Sequence, residues 1–410
     1  MQKFEKHSPV VVTEVTTKHE LRQFMQYPNR LYADNPNYIP SFYGDDLSDW
    51  TPGKNPAFDY CEARCWLAWR DGEIVGRIGA ILSHKANDKF GTHRMRFSQV
   101  DFVDDSEVSA ALFGMVEHWA REKGCDQVHG PLGFTDMDRE GMLVEGFDRR
   151  SLFFTNYNAP YYLEHLARLG YRKDVDWIEY RITVPAPGSA EAERLHKLSE
   201  FILKRKNLHV ATVHHKSEYG PFVRQVFELV NAAYAPLYGV VELSDEQIER
   251  YANKFIPLVD PDFVCFVLDE QDKLVAFGVT ALDPSVALKH SDGRLFPFGW
   301  AGVLNDLHHS DTLIMLLTAV RPDLQTEGIN AVMMDHVCQS CNRHGVQFAE
   351  TGPMLELNDH ILAQWKRLEK EQHKRRRCFI KDLNHDVNAA NTAAAAQAEA
   401  PETAPAAESA

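Results

Sequence analysis

Apolar positions along the chain form short continuous runs, then fall into a three-to-four spacing, and this grammar occurs twice. The segment "CWLAWRDGEIVGRIGAIL" (65–82) is an apolar run, an Asp-Gly turn and a second apolar run, the pattern of a β-hairpin. "RMRFSQVDFVDD" (94–105) predicts another strand. "SEVSAALFGMVEHWAREKG" (106–124) predicts a helix with Asp105 or Ser106 as N-cap and Gly124 as its stop. In the second half "FVCFVLDEQDKLVAFGVTAL" (263–282) is again strand, charged turn, strand. "DTLIMLLTAV" (311–320) is the next strand, and "EGINAVMMDHVCQSCNRHG" (327–345) is a helix ending at Gly345. A further strand follows each helix, "QVHGPLGF" (127–134) and "VQFAETGP" (346–353).

The shared order predicts an α/β (α+β) fold made of two copies of one module, each a mixed, mostly antiparallel sheet flanked by helices. The division falls at the Pro/Gly/Ser cluster "VPAPGSAEAE" (184–193), which gives modules at 1–184 and 190–383. From 384 to 410 the chain mixes Ala with Pro, Glu and Thr and has almost no large apolar residue, so a disordered tail is expected. "GRLFPFGWAGVL" (293–304) is apolar enough to be a buried strand bracketed by glycines. The basic run "KRLEKEQHKRRRCFIKDL" (366–383) reads as a solvated helix face.

Composition narrows the function classes. A net charge of -15 over 410 residues argues against a nucleic-acid footprint, which requires a positive surface. No run reaches the roughly 18 to 20 apolar residues that cross a bilayer, and the N-terminus lacks the apolar core of a signal peptide, so a cytoplasmic location is expected. Seven scattered cysteines suit reduced thiols. Cys338 and Cys341 lie inside a predicted helix, where the spacing puts two small apolar residues on one face. No second pair has zinc-like spacing, and no metal site is expected.

Two stretches carry candidate chemistry. The first is the junction from strand to helix, Gln325, Thr326, Glu327, Gly328, Ile329 and Asn330. Helix N-termini concentrate unpaired N–H groups and the positive end of the helix dipole, so an anion site, most naturally phosphate, can form there. Gly328 would let a diphosphate approach the backbone, and Asn330 tolerates a left-handed φ. An ordinary proline-started turn would leave the same trace. The second stretch is "GPLGFTDMDREGMLVEGFD" (130–148), a long polar loop whose Asp136, Asp138, Glu140 and Glu145 suit an amine-bearing ligand or a structured surface loop.

The sequence V-x-P-x-x-Q-x-x-G-I-N, after an apolar strand and before an amphipathic helix, resembles the acyl-CoA-binding motif of the GNAT superfamily of N-acyltransferases. Gln325 and Gly328 match, and Asn330 stands where the family has Gly or Ala. "FAETGPMLELNDHILAQWKRL" (348–368) looks like the family's next strand and helix, with Asn358 where an Asn commonly meets the pantetheine arm. The resemblance implies tandem GNAT-like modules, with acyl-CoA as co-substrate, no permanently bound cofactor and an amine acceptor. It implies that backbone N–H groups near Thr318, Ala319 and Val320 face the thioester oxygen. It also implies a strand-end Glu350 that accepts a proton, and a tyrosine (Tyr161, Tyr162, Tyr234 or Tyr238, with Tyr238 preferred) that protonates the leaving thiolate. Asp136, Asp138 and Glu145 would meet the acceptor. Carboxylates Asp104, Asp105 and Glu107 occupy the first module's corresponding junction and would repel a diphosphate, so that module is expected to act as an acceptor platform, as in the tandem aminoacyl transferases of peptidoglycan bridges.

The whole-chain pattern also looks like a bacterial group that includes ceramide synthases. This implies a lipid or sphingoid amine as acceptor, with 293–304 as an alternative lining for an acyl chain and Arg375, Arg376 and Arg377 facing lipid headgroups at a peripheral membrane contact or the CoA 3′-phosphate. A small polar amine or aminoacyl group, and a non-catalytic acyl-CoA-binding regulator, are the other readings. Oligomeric state is not legible.

Overall fold

The computed structural model describes residues 8–383, so the expected tail at 384–410 lies outside the described residues. The first half runs β1 (Val11–Glu14), α1 (Lys18–Leu31), α2 (Tyr43–Asp49), β2 (Cys61–Arg70), β3 (Glu73–Ser83), α3 (His84–Phe90), β4 (Arg94–Phe102) and α4 (Ser106–Glu122). It continues through β5 (Gln127–Gly130), β6 (Met142–Glu145), α5 (Tyr162–Arg168) and β7 (Arg172–Thr183). The second half runs α6 (Ala190–Lys206), β8 (His209–Val210), α7 (Gly220–Tyr234), α8 (Asp245–Phe255), β9 (Val264–Leu268), β10 (Leu274–Leu282), α9 (Ser285–His290) and α10 (Gly299–His309). It ends with β11 (Thr312–Val320), α11 (Asn330–His344), β12 (Phe348–Glu350), β13 (Met354–Leu355), α12 (Asp359–Ala363) and β14 (Lys370–Asp382).

Local chemistry accounts for most boundaries. The β2–β3 hairpin turns at Asp71 and Gly72, whose φ angles of 51° and 82° give the left-handed pair that matches strand twist. The Asp105 carboxylate caps α4 by accepting from the Glu107 and Val108 N–H groups, and it also pairs with Arg70 at 2.5 Å. The first module's helix N-terminus is therefore occupied by its own anion.

The halves repeat one geometry. In the first, β4 and β5 pair in parallel over Arg94–Arg96 and Gln127–His129. In the second, β11 and β12 pair in parallel over Thr312–Ile314 and Phe348–Glu350. A register shift interrupts β3–β4 between Arg77 and Gly79, and another interrupts β10–β11 between Val279 and Thr280. In the first half the region beyond the short parallel stretch is filled by the buried Arg77–Asp101 pair (2.7 Å) and by Tyr32, Tyr38 and Tyr157.

All strands join one sheet, in the path β1-β2-β3-β4-β5-β14-β7-β12-β11-β10-β9-β8. The last strand of each half therefore lies at the centre, where β7 and β14 pair antiparallel from Arg172–Ile380 to Ile182–Lys370. β14 also pairs with β5 of the first half, and β7 with β12 of the second.

Two sequence expectations are corrected. The basic run is a central strand, because its cations meet carboxylates across the seam. Arg376 pairs with Glu179, and Arg375 and Arg377 both reach Asp176, at 3.1 and 2.7 Å. All three arginines are engaged by carboxylates across the sheet; Arg376 is fully buried, while Arg375 and Arg377 remain partly exposed. The segment 293–304 is neither a strand nor a channel wall. It is a loop running into α10, with Phe296 and Phe298 each 80% exposed.

Candidate functional site

Past Ile314 and Glu350 the strands β11 and β12 part, since β11 continues along β10 while β12 ends. A cleft of about 1070 Å³ opens there. Its strand walls are Gly278–Thr280 and Met315–Thr318. Asn330, Met333 and Met334 of α11 border one side, and Thr351–Met354 with the buried Trp365 border the other. Tyr234, the last residue of α7, stands at the end of the cleft on the opposite sheet face from α11, and its hydroxyl donates to the Thr318 carbonyl at 2.7 Å. The cleft thus passes through the sheet.

On the α11 side lies the predicted anion loop. Gly328 has φ +80°, and a Cβ there would come within 3.2 Å of Ile202 Cδ1. The left-handed residue is Gly328 and not Asn330, which is the first residue of α11 and lines the cleft. Gln325 donates its amide to the Val320 carbonyl at 3.3 Å. The Ala331 and Val332 N–H groups turn back to the Gly328 and Ile329 carbonyls, so fewer donors remain for an anion than a bare helix end offers. Glu327 is held below the usual carboxylate range by Lys206, at 2.7 Å, with Arg205 contributing. Two cations therefore flank the loop. Thr326 lies in its turn, and Ile329 is buried against Ile202 and Val332.

On the Tyr234 side lies the acidic loop. Asp138 folds it, accepting from the Phe134 and Thr135 N–H groups at 2.8 and 3.1 Å. Arg96, buried, donates to the Gly133 carbonyl at 2.8 Å and the Gly239 carbonyl at 3.0 Å, and Lys89 donates to the carbonyls of Ala235 and Val240. These bonds hold the segment after Tyr234 against the loop. Asp136 is half-buried and pushed up to about 6 by burial. Its charge adds to burial in raising the Tyr234 phenol, which places the two groups within electrostatic reach. Glu140 is raised well above its ordinary value by burial and by Asp136.

Several sequence-predicted residues stand elsewhere. Glu350 is not among the cleft walls, although its neighbours Ala349 and Thr351 are, as strand alternation requires. Its carboxylate accepts from Lys374 at 3.2 Å. Tyr238 donates to Asp174 at 2.5 Å and meets His129 Nδ1 at 2.9 Å and Cys378 Sγ at 3.5 Å, and it is not among the cleft walls. The ligand-type atoms of His129, Asp174 and Cys378 lie within 4.8 Å of one another, but the phenol already bridges them, so their arrangement suits a hydrogen-bond hub better than a metal. Glu145 is exposed and faces Arg375 at 3.3 Å. Ala319 and Val320 lie beyond the cleft, in cores on opposite sheet faces. Asn358 uses its side-chain oxygen to cap α12 through the Ile361 N–H at 3.2 Å. Of the site residues expected from sequence, Asn330 is among the cleft walls, Gln325 to Ile329 form the turn before it, and Asp136, which is not a wall residue, lies within electrostatic reach of Tyr234. Tyr161 and Tyr162 pack in the first half's core.

The sheet order, the parted strands and the repeat define a tandem GNAT fold. A solved tandem GNAT protein from the clavulanic acid biosynthesis pathway superposes with a TM-score of 0.52 at 13% identity, covering 91% of this chain and 98% of that one. Among curated proteins, the chain is similar to Protein YghO of Escherichia coli (strain K12), 27% identical over 383 residues, which is 91% of this chain and 95% of that protein. It is also similar to the bacterial ceramide synthase of Caulobacter vibrioides (strain NA1000 / CB15N), 29% identical over 299 residues, 72% of this chain and 75% of that protein. No protein-family model matches. Among the described residues no helix is long and apolar enough to cross a membrane.

Proposed function

We propose that the protein is an acyl-CoA-dependent N-acyltransferase whose acceptor is a lipid amine of the sphingoid type. The observation that carries this reading is the cleft between the parted strands, with Asn330 at the end of the Gln325–Ile329 turn on one wall and Tyr234, within electrostatic reach of Asp136, on another. The CoA diphosphate would lie at Gln325–Asn330, flanked by Lys206 and Arg205, and the pantetheine arm would run between the parted strands. The thioester would then emerge beside Leu317 and Thr318. Asp136 accepts the proton of the attacking amine. Tyr234 is placed to hydrogen-bond the thioester region or protonate the leaving thiolate. The two halves act as one unit, 1–184 supplying the acceptor platform and 190–383 the CoA site. The name of the Caulobacter relative and the apolar cleft walls support a lipid acceptor.

Incubation with palmitoyl-CoA and sphinganine should release CoA thiol and yield the N-palmitoyl amide by mass spectrometry. Acylation of a small polar diamine in preference would replace the lipid acceptor, and CoA binding without turnover on either amine would make the protein a binder. Gly328→Val should weaken binding of acetyl-CoA and palmitoyl-CoA by at least about tenfold in titration calorimetry. Its left-handed φ makes a β-branched residue cost about 1–2 kcal/mol of stability as well. Unchanged affinity in a variant with the wild-type unfolding profile would move the diphosphate elsewhere.

A further inference from the structure

A second recess lies between α7, α8 and the face of β10–β11 opposite α11. Val223, Phe227, Ile256 and Phe266 are among its walls, and no charged side chain lines it. The hydroxyl of Tyr219, its one polar wall residue, turns to the Val259 carbonyl at 3.5 Å. A recess so dry in character can recognise only hydrocarbon.

Its position gives it a role. Val279, Leu316 and Leu317 line both this recess and the cleft, and they lie at the β10–β11 register shift. That irregularity is where the cleft reaches the sheet face carrying Tyr234. A thioester bound through the cleft would present its acyl carbon at these residues, and the recess lies against the same three side chains.

We infer that this recess takes the hydrocarbon tail of the acyl donor, so that the enzyme prefers long-chain over acetyl thioesters. The inference rests on the transferase reading above and specifies its donor. The acceptor's tail is the less suitable occupant, since in that reading the amine reacts beside Asp136, whereas the shared wall places the recess at the thioester end of the cleft.

The test uses the full chain and calorimetric titration with acetyl-, octanoyl- and palmitoyl-CoA. Val223→Trp and Ile256→Trp, both at half-buried wall positions, place an indole in the recess. Wild-type affinity should rise with chain length. Each variant should lose at least about 100-fold for palmitoyl-CoA, the equivalent of displacing roughly three or four methylenes, while acetyl-CoA affinity changes by less than about twofold. Acetyl-CoA binding with no gain from a longer chain, or variants that bind palmitoyl-CoA as wild type does, would overturn the tail site and leave the transferase reading standing. Variants that lose only sphinganine binding would assign the recess to the acceptor and overturn the inference. Failure of wild type to bind any of the three thioesters would remove the transferase reading itself, and the tail site with it.

Discussion

Replacing Asp136 with Asn is expected to lower turnover by about 10²–10⁴-fold while making the protein more stable at neutral pH. Burial pushes this carboxyl up to about 6 from an ordinary 3.8, so near neutrality it is ionised and able to accept the proton that a neutral amine sheds as its C–N bond forms. The same burial works against the fold. Between pH 4 and 6 the unfolded chain ionises Asp136 first, and the folded state loses its advantage as pH rises through that window. The gap between 3.8 and about 6 amounts to at most about 3 kcal/mol at pH 7. Asn removes that cost, so the Tm difference between variant and wild type should be near its minimum at pH 4 and grow toward pH 7. The wild-type kcat/KM should rise along a limb with an apparent pKa near 6, and this limb should vanish in the variant's residual activity. A variant with wild-type turnover, or a Tm difference that is flat across pH, would return Asp136 to an ordinary loop carboxylate.

That Asp138 serves the loop's own folding while Asp136 lies within electrostatic reach of Tyr234 could not be read from the sequence, where the two differ only by alternation. The distinction comes from three-dimensional surroundings: Asp138 accepts from two backbone N–H groups and from Tyr251, whereas the charge of Asp136 acts on the Tyr234 phenol. The fold was more accessible. Hairpins, caps and helix stops are local, and Asp71-Gly72, Asp105 and Gly345 act where the sequence pattern puts them. The turn before α11 was visible for the same reason, although its left-handed residue is Gly328. The central strand β14 was hidden because its stabilising partners are remote. "KRRR" reads as a solvated surface until "DVDWIEY" of β7 is laid against it, and only then do Asp176 and Glu179 meet Arg375, Arg376 and Arg377. Glu350, expected as the base, does not line the cleft while Ala349 and Thr351 do, since one residue's displacement along β12 changes which sheet face a side chain occupies. Tyr238 carried no local mark separating it from Tyr234, four residues earlier, which reaches the cleft.

The seam between β7 and β14 predicts the largest stability effect. Glu179, Lys374 and Arg376 are each fully buried, and Glu179 pairs with Arg376 and lies 3.5 Å from Lys374, which also reaches Glu350 at 3.2 Å. Burial alone would raise the Glu179 carboxyl, but Arg376 and Lys374 together hold it below its ordinary value. Its ionised form therefore stabilises the fold above the unfolded pKa, and that contribution is lost as pH falls through the folded value. Glu179→Gln should destabilise the protein by about 3–5 kcal/mol at pH 7, because two cations remain buried with one carboxylate between them. Adding Arg376→Met should recover part of that loss, giving a coupling energy of about 1–3 kcal/mol in a double-mutant cycle. The damage should also reach the cleft. β7 carries Arg181, which pairs in register with Glu350 of β12, and β12 sets the point where β11 departs. Loosening the seam should thus raise KM for the thioester at temperatures well below the unfolding transition. A Glu179→Gln variant with wild-type denaturant midpoint and wild-type KM would mean that the buried charges are solvated by water and that the two halves are held together by the backbone ladder alone.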